Sequence, residues 1–554
     1  MKELVLLYRH SHLGGLQPVY DGRKGLFTAG RLPFDSKEFT IKLGEKDEKV
    51  LSRREREFKV AIKHASKTDQ QHLQQFLSGR QRDAPYETIQ VLDIVLRETP
   101  SNDYTVVGRS FFSLKLGTKS DAGDGLECWR GYYQSLRPTQ MGLSLNIDVA
   151  ATTFYEAIPV VDYVCKLLNL RDPSRPLTDI DRTKVKKALR GVRVKFTHRK
   201  DRRNQKISGI TAQSTDQLMF NVGDSDKKIS VSQYFFNKYQ IRLHCAHWPA
   251  LQAGTDSRPL YLPMEVCTIV EGQRYSKKLN EKQVTAMLKA SCQRPHERER
   301  NISMMALHND YGNDAFAKEF GVNVDPRLVT IPTARVLQPP MLKYHDTGKE
   351  VRIQPRVGQW NMINTKMFNG GTIHHWTCVN FSSRSPSDIA SRFSQELVSM
   401  CSSKGMIFNP KPLIPVRSVR PDQIERTLVE IHNQSRGQLQ LLIIILPDFS
   451  GSYGTIKRIC ETELGIISQC CQPKQAQKCN KQYLENVSLK INVKAGGRNT
   501  VLLDALNKKI PLVSENPTII FGADVTHPSP GEDSSPSIAA VVASMDWPEV
   551  TKYR

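Results

Sequence analysis

The stretch QLQLLIIILPDFSGSYGTIKRICETELG (residues 438–465) decides how the last third of the chain folds. Its apolar run, Leu441 to Leu446, is far shorter than the roughly 20 residues that span a bilayer. A short, unbroken apolar run bounded by turn residues reads as a strand of a parallel sheet covered on both faces. LPDFSGS then forms a turn that ends on Ser452, a candidate helix cap, and a helix follows from Ser452 to Leu464. A strand, loop and helix in this order offer backbone N–H groups and a positive dipole end to a phosphate. Tyr453 and Lys457 are four apart and share one helix face. The tyrosine can stack on a base while the lysine meets its phosphate. Lys490 and Lys494 repeat the spacing beside the Gly496–Gly497 break. A monophosphate needs two or three converging cations, although taken alone the same spacing more often marks an ordinary solvated helix face.

On either side the pattern continues. WTCVNFS (376–382) reads as a strand, 387–403 as a helix and TIIFGADV (518–525) as another buried strand. Apolar strands alternating with helices indicate an α/β sheet. Asp524 ends the last of these strands, where a carboxylate is costly unless paired or functional, and with His527 it could help to hold Mg²⁺. A single aspartate cannot build a two-metal site, which needs several carboxylates around ions roughly 3.5–4 Å apart. As an isolated signal, Asp524 fits a satisfied strand-end carboxylate better than a metal ligand. SIAAVVASMDWPEVTKYR (537–554) begins one more strand and stops, so the sheet reads as cut.

The 554 residues allow about three to five domains. With 39% hydrophobic and 24% charged residues the chain is globular, and its formal net charge of +23 points to a polyanionic partner, nucleic acid ahead of an anionic membrane. No transmembrane helix or signal peptide is present in the pattern. Eleven scattered cysteines with no Cys-x-x-Cys pair imply reduced, mostly buried thiols in an intracellular protein, and no zinc site. The first 150 residues read as short strands broken by turns, with helices at 69–81 and 86–97 and a surface loop at 117–127. Next come a helix, FYEAIPVVDYVCKLL (154–168), and strands GVRVKFTHR, QKISGIT, QLMFNV and QIRLHCAHWP, a small β-barrel-like domain. Helical stretches at EKQVTAMLKASC (281–292) and near 309–320 form a linker.

Charge is densest at 182–206, with 12 Lys/Arg against one acid, Asp201. Phe220, Tyr234, Phe235, Phe236, Tyr239, Trp248 and Tyr261 follow. Basic strands beside aromatic faces suit single-stranded nucleic acid, each stacked base contributing roughly 1–3 kcal/mol. Taken one at a time, each of these aromatics is more often a core residue than a base-stacking one.

SHLGGLQPVYDGRKGLFTAG (11–30), YLPMEVCTIVEGQRYSKKLN (261–280), GQWNM (358–362), KRICETELGIISQCC (457–471), LKINVKAGGRN (489–499) and IIFGADVTHPSPGEDSSPSIAAVVAS (519–544) together resemble an Argonaute protein of plants. The resemblance runs over essentially the whole chain. It implies a multidomain α/β and α+β fold: a partial N domain (1–80), a linker (81–148), a β-barrel-like PAZ domain (149–270), a second linker (271–385), a Rossmann-like MID domain (386–507) and the first strands of a ribonuclease-H-like PIWI domain (508–554). It implies a small guide RNA and a target RNA as partners, together with silencing proteins, in the cytoplasm and extending to the nucleus.

By motif, Tyr453, Lys457, Gln469, Lys490 and Lys494 match the residues that grip the guide 5′ nucleotide. His198, Arg203, Phe220, Tyr234 and Tyr261 match the 3′-end pocket. Gln205 stands where many relatives have tyrosine, and HCAHWP (244–249) lacks another pocket tyrosine. The loop Asp448–Ser452 looks one residue short, which resembles a germline-associated plant subgroup that favours a 5′ cytosine. Asp524 matches the first acid of a catalytic tetrad that uses Mg²⁺ in the full-length family. The other acids lie beyond Arg554 in the family, and Met1 falls inside its N domain. The resemblance therefore implies a truncated slicer that does not itself cut RNA. The alternative is a non-catalytic RNA-binding scaffold.

Overall fold

The computed structural model describes residues 1–43, 56–117, 119–198, 204–221, 228–255, 258–383, 387–448, 451–528 and 536–554. Two compact units result, Met1–Tyr275 with Lys282–Thr330, and Ser276–Glu281 with Ile331–Arg554.

The first unit opens with a helix, Lys2–His12, whose Leu4 packs with Leu13 against Phe39 and Ile41 of the hairpin strand Ser36–Leu43. Helices Gln70–Leu77 and Tyr86–Asp103 occupy the two stretches whose periodicity was helical. Beyond them the expected short strands give way to one long hairpin. Leu126–Thr139 pairs with Gly142–Tyr155 from Leu126↔Tyr155 to Thr139↔Gly142 without a register break. The 117–127 loop is accordingly smaller than expected, because Ser120–Gly123 adds a strand at the edge. Phe154 and Tyr155 belong to this hairpin and not to a helix. Pro159 is the N-cap, so the helix starts only at Val160 and runs to Leu168.

The basic stretch becomes a helix, Asp179–Leu189, followed by the strand Arg193–Phe196. A Thr178–Asp181 capping box fixes the start of that helix. Five antiparallel strands follow in the spatial order Arg258–Leu262, Pro249–Thr255, Gln205–Ser214, Arg193–Phe196, Cys267–Ile269. A short pair, Met219–Asn221 with Lys228–Ser230, carries the helix Val231–Tyr239 beside them. Residues 241–248 were expected to be a strand but are irregular. The Glu265 carboxylate captures the backbone N–H groups of His244 and Cys245, at 3.0 and 2.6 Å, which a ladder would have used. In the linker, helices Glu281–Ser291, Pro295–Asn309 and Ala315–Glu319 replace the two expected.

The second unit is built on a parallel sheet in the order Arg417–Ser418, Trp376–Asn380, Leu441–Ile445, Ser468–Cys471. The 441–445 strand is fully buried, and its alternation decides the layers. Leu441, Ile443 and Ile445 enter a core with the helices Ser387–Ser403 and Lys481–Lys494, while Leu442 and Ile444 enter another with the helix Ile424–Gln434 and with Ile456 and Ile459. Helices therefore cover both faces, which is why the strand shows no polar alternation. The 481–494 helix is fixed near its start by a buried ion pair, Glu485 with Lys404 at 2.8 Å.

The TIIFGADV stretch departs from expectation. Phe521–Thr526 pairs antiparallel with Ile538–Ala543 in a hairpin, and its residues are exposed, Phe521 by 67% and Val541 by 68%. Apolar content suggested burial, but among the described residues no layer covers either face of the hairpin. All eleven cysteines are free thiols, as their scatter suggested.

Ile443 lies at the centre of the sheet with no exposed surface. Ile443→Ala should cost about 2–5 kcal/mol of unfolding free energy in urea denaturation, and a loss below about 1 kcal/mol would contradict this account of the core.

Candidate nucleic-acid interface

The chain path that starts at the 441–445 strand brings Tyr453, Lys457 and Gln469 together, and the helix Lys481–Lys494 adds Lys490 and Lys494. The 441–445 strand leads into the helix Ser452–Arg458, a π-turn Ile459–Glu463 follows, and the chain returns as the strand Ser468–Cys471. Gly451 is the N-cap, in a left-handed conformation at φ +109°, so Ser452 is the first helical residue and not the cap. The 452–458 helix has only seven residues. The cations that converge here come from side chains on this helix and on the helix Lys481–Lys494.

Those donors meet at Ser468. Lys457 Nζ donates to Ser468 Oγ at 3.1 Å, and Lys494 Nζ donates to the Ser468 carbonyl at 2.7 Å and to Gln469 Oε1 at 2.9 Å. Gln469 is buried. Tyr453 is 45% exposed one helical turn before Lys457. Lys490 is exposed one turn before Lys494, and both of their charges act on the Cys471 thiol. An open cavity of about 300 Å³ lies at the junction, lined by Glu461, Gly465, Ile466, Ile467, Ser468 and Lys494.

Electrostatics separates the two central lysines. Burial works against the charge on Lys457, but its ion pair with Glu461 more than offsets this and raises the pKa. Lys494 touches only neutral acceptors among the described residues. Burial first, and the Lys457 charge second, lower its pKa. Burial also pushes the neighbouring Cys470 thiol up to about 12, so it stays neutral and supplies no counter-charge. Two ammonium groups held around one serine, one of them with no carboxylate in contact, form a site suited to an anion.

The 3′-end candidates divide. His198 rests edge-on against Phe235 and Tyr239, with ring centroids 5.3 and 4.8 Å apart. Tyr234 contacts Phe220 at 5.3 Å and Tyr239 at 6.0 Å. Lys238 donates to the Tyr234 hydroxyl at 2.9 Å and lies over its ring. The helix Val231–Tyr239 thus gathers an aromatic group with a cation beside it. Tyr261 sits on the strand Arg258–Leu262, opposite Gln252, and makes no ring contact with this group among the described residues. Arg203 lies outside the described residues. Gln205 opens its strand opposite Val194. Trp248 is core, 1% exposed, with its indole N–H on the Arg175 carbonyl at 2.9 Å.

Asp524 projects from the exposed hairpin, where one of its carboxylate oxygens accepts the Val525 N–H at 2.8 Å. His527 Nδ1 lies 2.8 Å from Ser537 Oγ. Among the described residues no group of three His, Cys, Asp or Glu side chains comes together. Asp524 and His527 do not by themselves fit a Mg²⁺ site.

Family models match nearly every region in order: "N-terminal domain of argonaute" at 1–96, "Argonaute linker 1 domain" at 106–156, "PAZ domain" at 161–288, "Argonaute linker 2 domain" at 297–344, "Mid domain of argonaute" at 354–434 and "Piwi domain" at 441–554. The chain is 60% identical over 564 residues to Protein argonaute MEL1 of Oryza sativa subsp. japonica, covering all of this chain and 53% of that protein. It is likewise 60% identical to Protein argonaute 5 of Arabidopsis thaliana, covering all of this chain and 56% of that one. The chain belongs to the Argonaute family. It spans about half the length of these curated relatives. The fold agrees with the crystal structure of Kluyveromyces polysporus Argonaute with a guide RNA, at TM-score 0.59 and 19% identity over 87% of this chain and 57% of that one.

Several residues of the two candidate sites in this Argonaute escaped sequence reasoning. Ser468 carried no signal, since its role depends on strand register. Glu461 and Lys238 were findable, as each stands four residues after a candidate, Lys457 and Tyr234. Glu461 competes with any anion for Lys457. Glu461→Gln should therefore lower, several-fold, the sulfate concentration that half-maximally raises the melting temperature, and an unchanged midpoint would contradict this electrostatic account.

Proposed function

We propose that this chain binds a small single-stranded guide RNA by its two ends and acts in RNA-mediated gene silencing. The 5′ phosphate enters the site formed by Lys457, Gln469, Lys490 and Lys494, and the first base stacks on Tyr453. The 3′ nucleotides enter the aromatic group of His198, Phe220, Tyr234 and Tyr239, with Arg203 and Tyr261 as further contacts. The observation that carries this reading is the convergence of Lys457 and Lys494 on Ser468, two cations aimed at a common point with a cavity beside them. Family membership and the guide RNA in the K. polysporus structure support it. Paired cations favour the phosphate dianion, and a base-stacking tyrosine beside them favours a nucleotide over inorganic phosphate.

For the longer protein of which such a chain forms part, the proposed activity is Mg²⁺-dependent cleavage of target RNA paired to the guide, with Asp524 as one metal ligand. The alternative is a purely binding and scaffolding role that acts through recruited partners. A 5′-cytosine preference set by the 448–452 loop belongs to the same proposal, although residues 449 and 450 lie outside those described.

Binding of one RNA sequence with a 5′ phosphate and with a 5′ hydroxyl tests the reading. The phosphorylated form should bind more tightly, and Lys457→Ala should remove about 1.5–3 kcal/mol of that advantage, as expected for a charge-assisted hydrogen bond. Equal affinities for the two RNAs would overturn it.

The lowered pKa of Lys494 also fixes a pH dependence. The phosphate gains its second charge near pH 6, so affinity should rise through that region. It should fall again as Lys494 loses its proton, at a pH below the ordinary lysine range. Lys494→Arg should shift that alkaline fall upwards, since a guanidinium does not deprotonate there. A fall at the same pH in the variant would assign it to another group.

A further inference from the structure

The end of the 481–494 helix that carries Lys490 and Lys494 does not stop at the pocket. Gly496 and Gly497 turn the chain, and a Cβ at Gly497 would meet Asn492 Oδ1 at 2.2 Å and the Asn369 carbonyl at 2.7 Å. The turn is therefore closed tightly on itself. Asn492 holds it, donating to Asn499 Oδ1 at 2.9 Å and accepting the Gly371 N–H at 2.7 Å. Arg498 then bridges to Asn369 through both backbone groups, at 2.8 and 2.9 Å. Lys494 and Arg498 are thus joined by a short, hydrogen-bonded path.

Arg498 in turn grips two acids. Its Nη1 lies 3.3 Å from Asp546 Oδ2 and 3.2 Å from Glu549 Oε1, and the guanidinium sits 5.2 Å over the Phe368 ring. The three side chains are only 18%, 15% and 14% exposed. Asp546 also accepts from Thr551 N at 2.9 Å, Thr551 Oγ1 at 2.8 Å and Lys552 N at 2.8 Å, so its carboxylate organises the 546–552 turn. That turn is continuous with the hairpin bearing Asp524, through Met545 N to the Lys552 carbonyl at 2.8 Å and the paired Ala543 and Arg554. Removing the arginine would leave two poorly solvated carboxylates without a counter-charge.

We infer that Arg498 is a positioning residue that couples occupancy of the anion pocket to the order of the 546–552 turn. The inference rests on the 5′-phosphate reading. In the empty pocket the repulsion between Lys457 and Lys494 acts on the C-terminal end of the helix. A phosphate dianion between them removes that load and holds the helix end in the position from which Arg498 reaches both acids. Because coupling free energies are reciprocal, the intact turn also strengthens phosphate binding.

Hydrogen exchange of the Thr551 and Lys552 amides in the full chain, with 5′-phosphorylated and 5′-hydroxyl RNA of one sequence, tests the coupling. Phosphorylated RNA should slow both amides about 5- to 150-fold more than hydroxyl RNA, the range of typical site-to-site coupling. Arg498→Met should abolish the difference and reduce the phosphate preference in binding by the same factor, while Arg498→Lys should restore part of both. If Arg498→Met fails to fold, Glu549→Gln, which leaves the Asp546 acceptor in place, should reduce the slowing. A wild type that prefers the phosphorylated RNA yet shows no phosphate-dependent slowing would overturn the coupling alone, as would slowing that persists in the foldable variant. A wild type that binds both RNAs equally would overturn the pocket itself.

Discussion

Ser468 holds two like charges together: its hydroxyl accepts from Lys457 and its carbonyl from Lys494. Such an arrangement is unfavourable by itself, and the fold maintains it from three directions. The parallel register Leu442↔Ser468 and Ile443↔Gln469 sets the height of the serine. The π-turn after Arg458 lets the chain come back as the 468–471 strand, and the buried Lys404–Glu485 pair sets the position of the 481–494 helix. Glu461 relieves Lys457, but Lys494 is left with neutral partners. A site that keeps a partly buried ammonium without a carboxylate is prepared for an anion supplied from outside. Everything proposed for the 5′ end of a guide follows from this constraint.

The aromatic group on the helix Val231–Tyr239 uses different physics. Stacking is tolerant of sequence, because every base has a π-face, and Lys238 adds a cation at the ring edge. In the proposed reading, one Argonaute chain combines a charge-specific grip on a phosphate with a sequence-tolerant grip on bases. This suits a ligand recognised by its ends and not by its sequence.

Much of the fold was legible because burial leaves a mark in the sequence. The 441–445 strand is covered on both faces, so it shows no polar alternation and reads correctly as a parallel strand. The same logic failed at Phe521–Thr526, whose apolar residues are exposed in this chain. The 241–248 stretch was misread because a distant carboxylate, Glu265, took its backbone donors, and Phe154–Tyr155 because a 14-residue strand extends through them to the turn before Pro159. At the site, Tyr453, Lys457 and Lys494 were legible as helical spacing, whereas Gln469 came only through the family motif. Ser468 and Arg498 were not legible at all. Their roles depend on strand register and on partners 11 to 51 residues away in sequence.

The phosphorus resonance of a 5′-phosphorylated guide RNA bound to the full chain tests the central claim most directly. Lysines converging on the dianion should pull its second ionisation well below the value of about 6 seen for a free phosphate monoester, and Lys494→Met should return it most of the way. A bound phosphate that titrates as it does in free RNA would show that these lysines do not hold it, and would contradict the account.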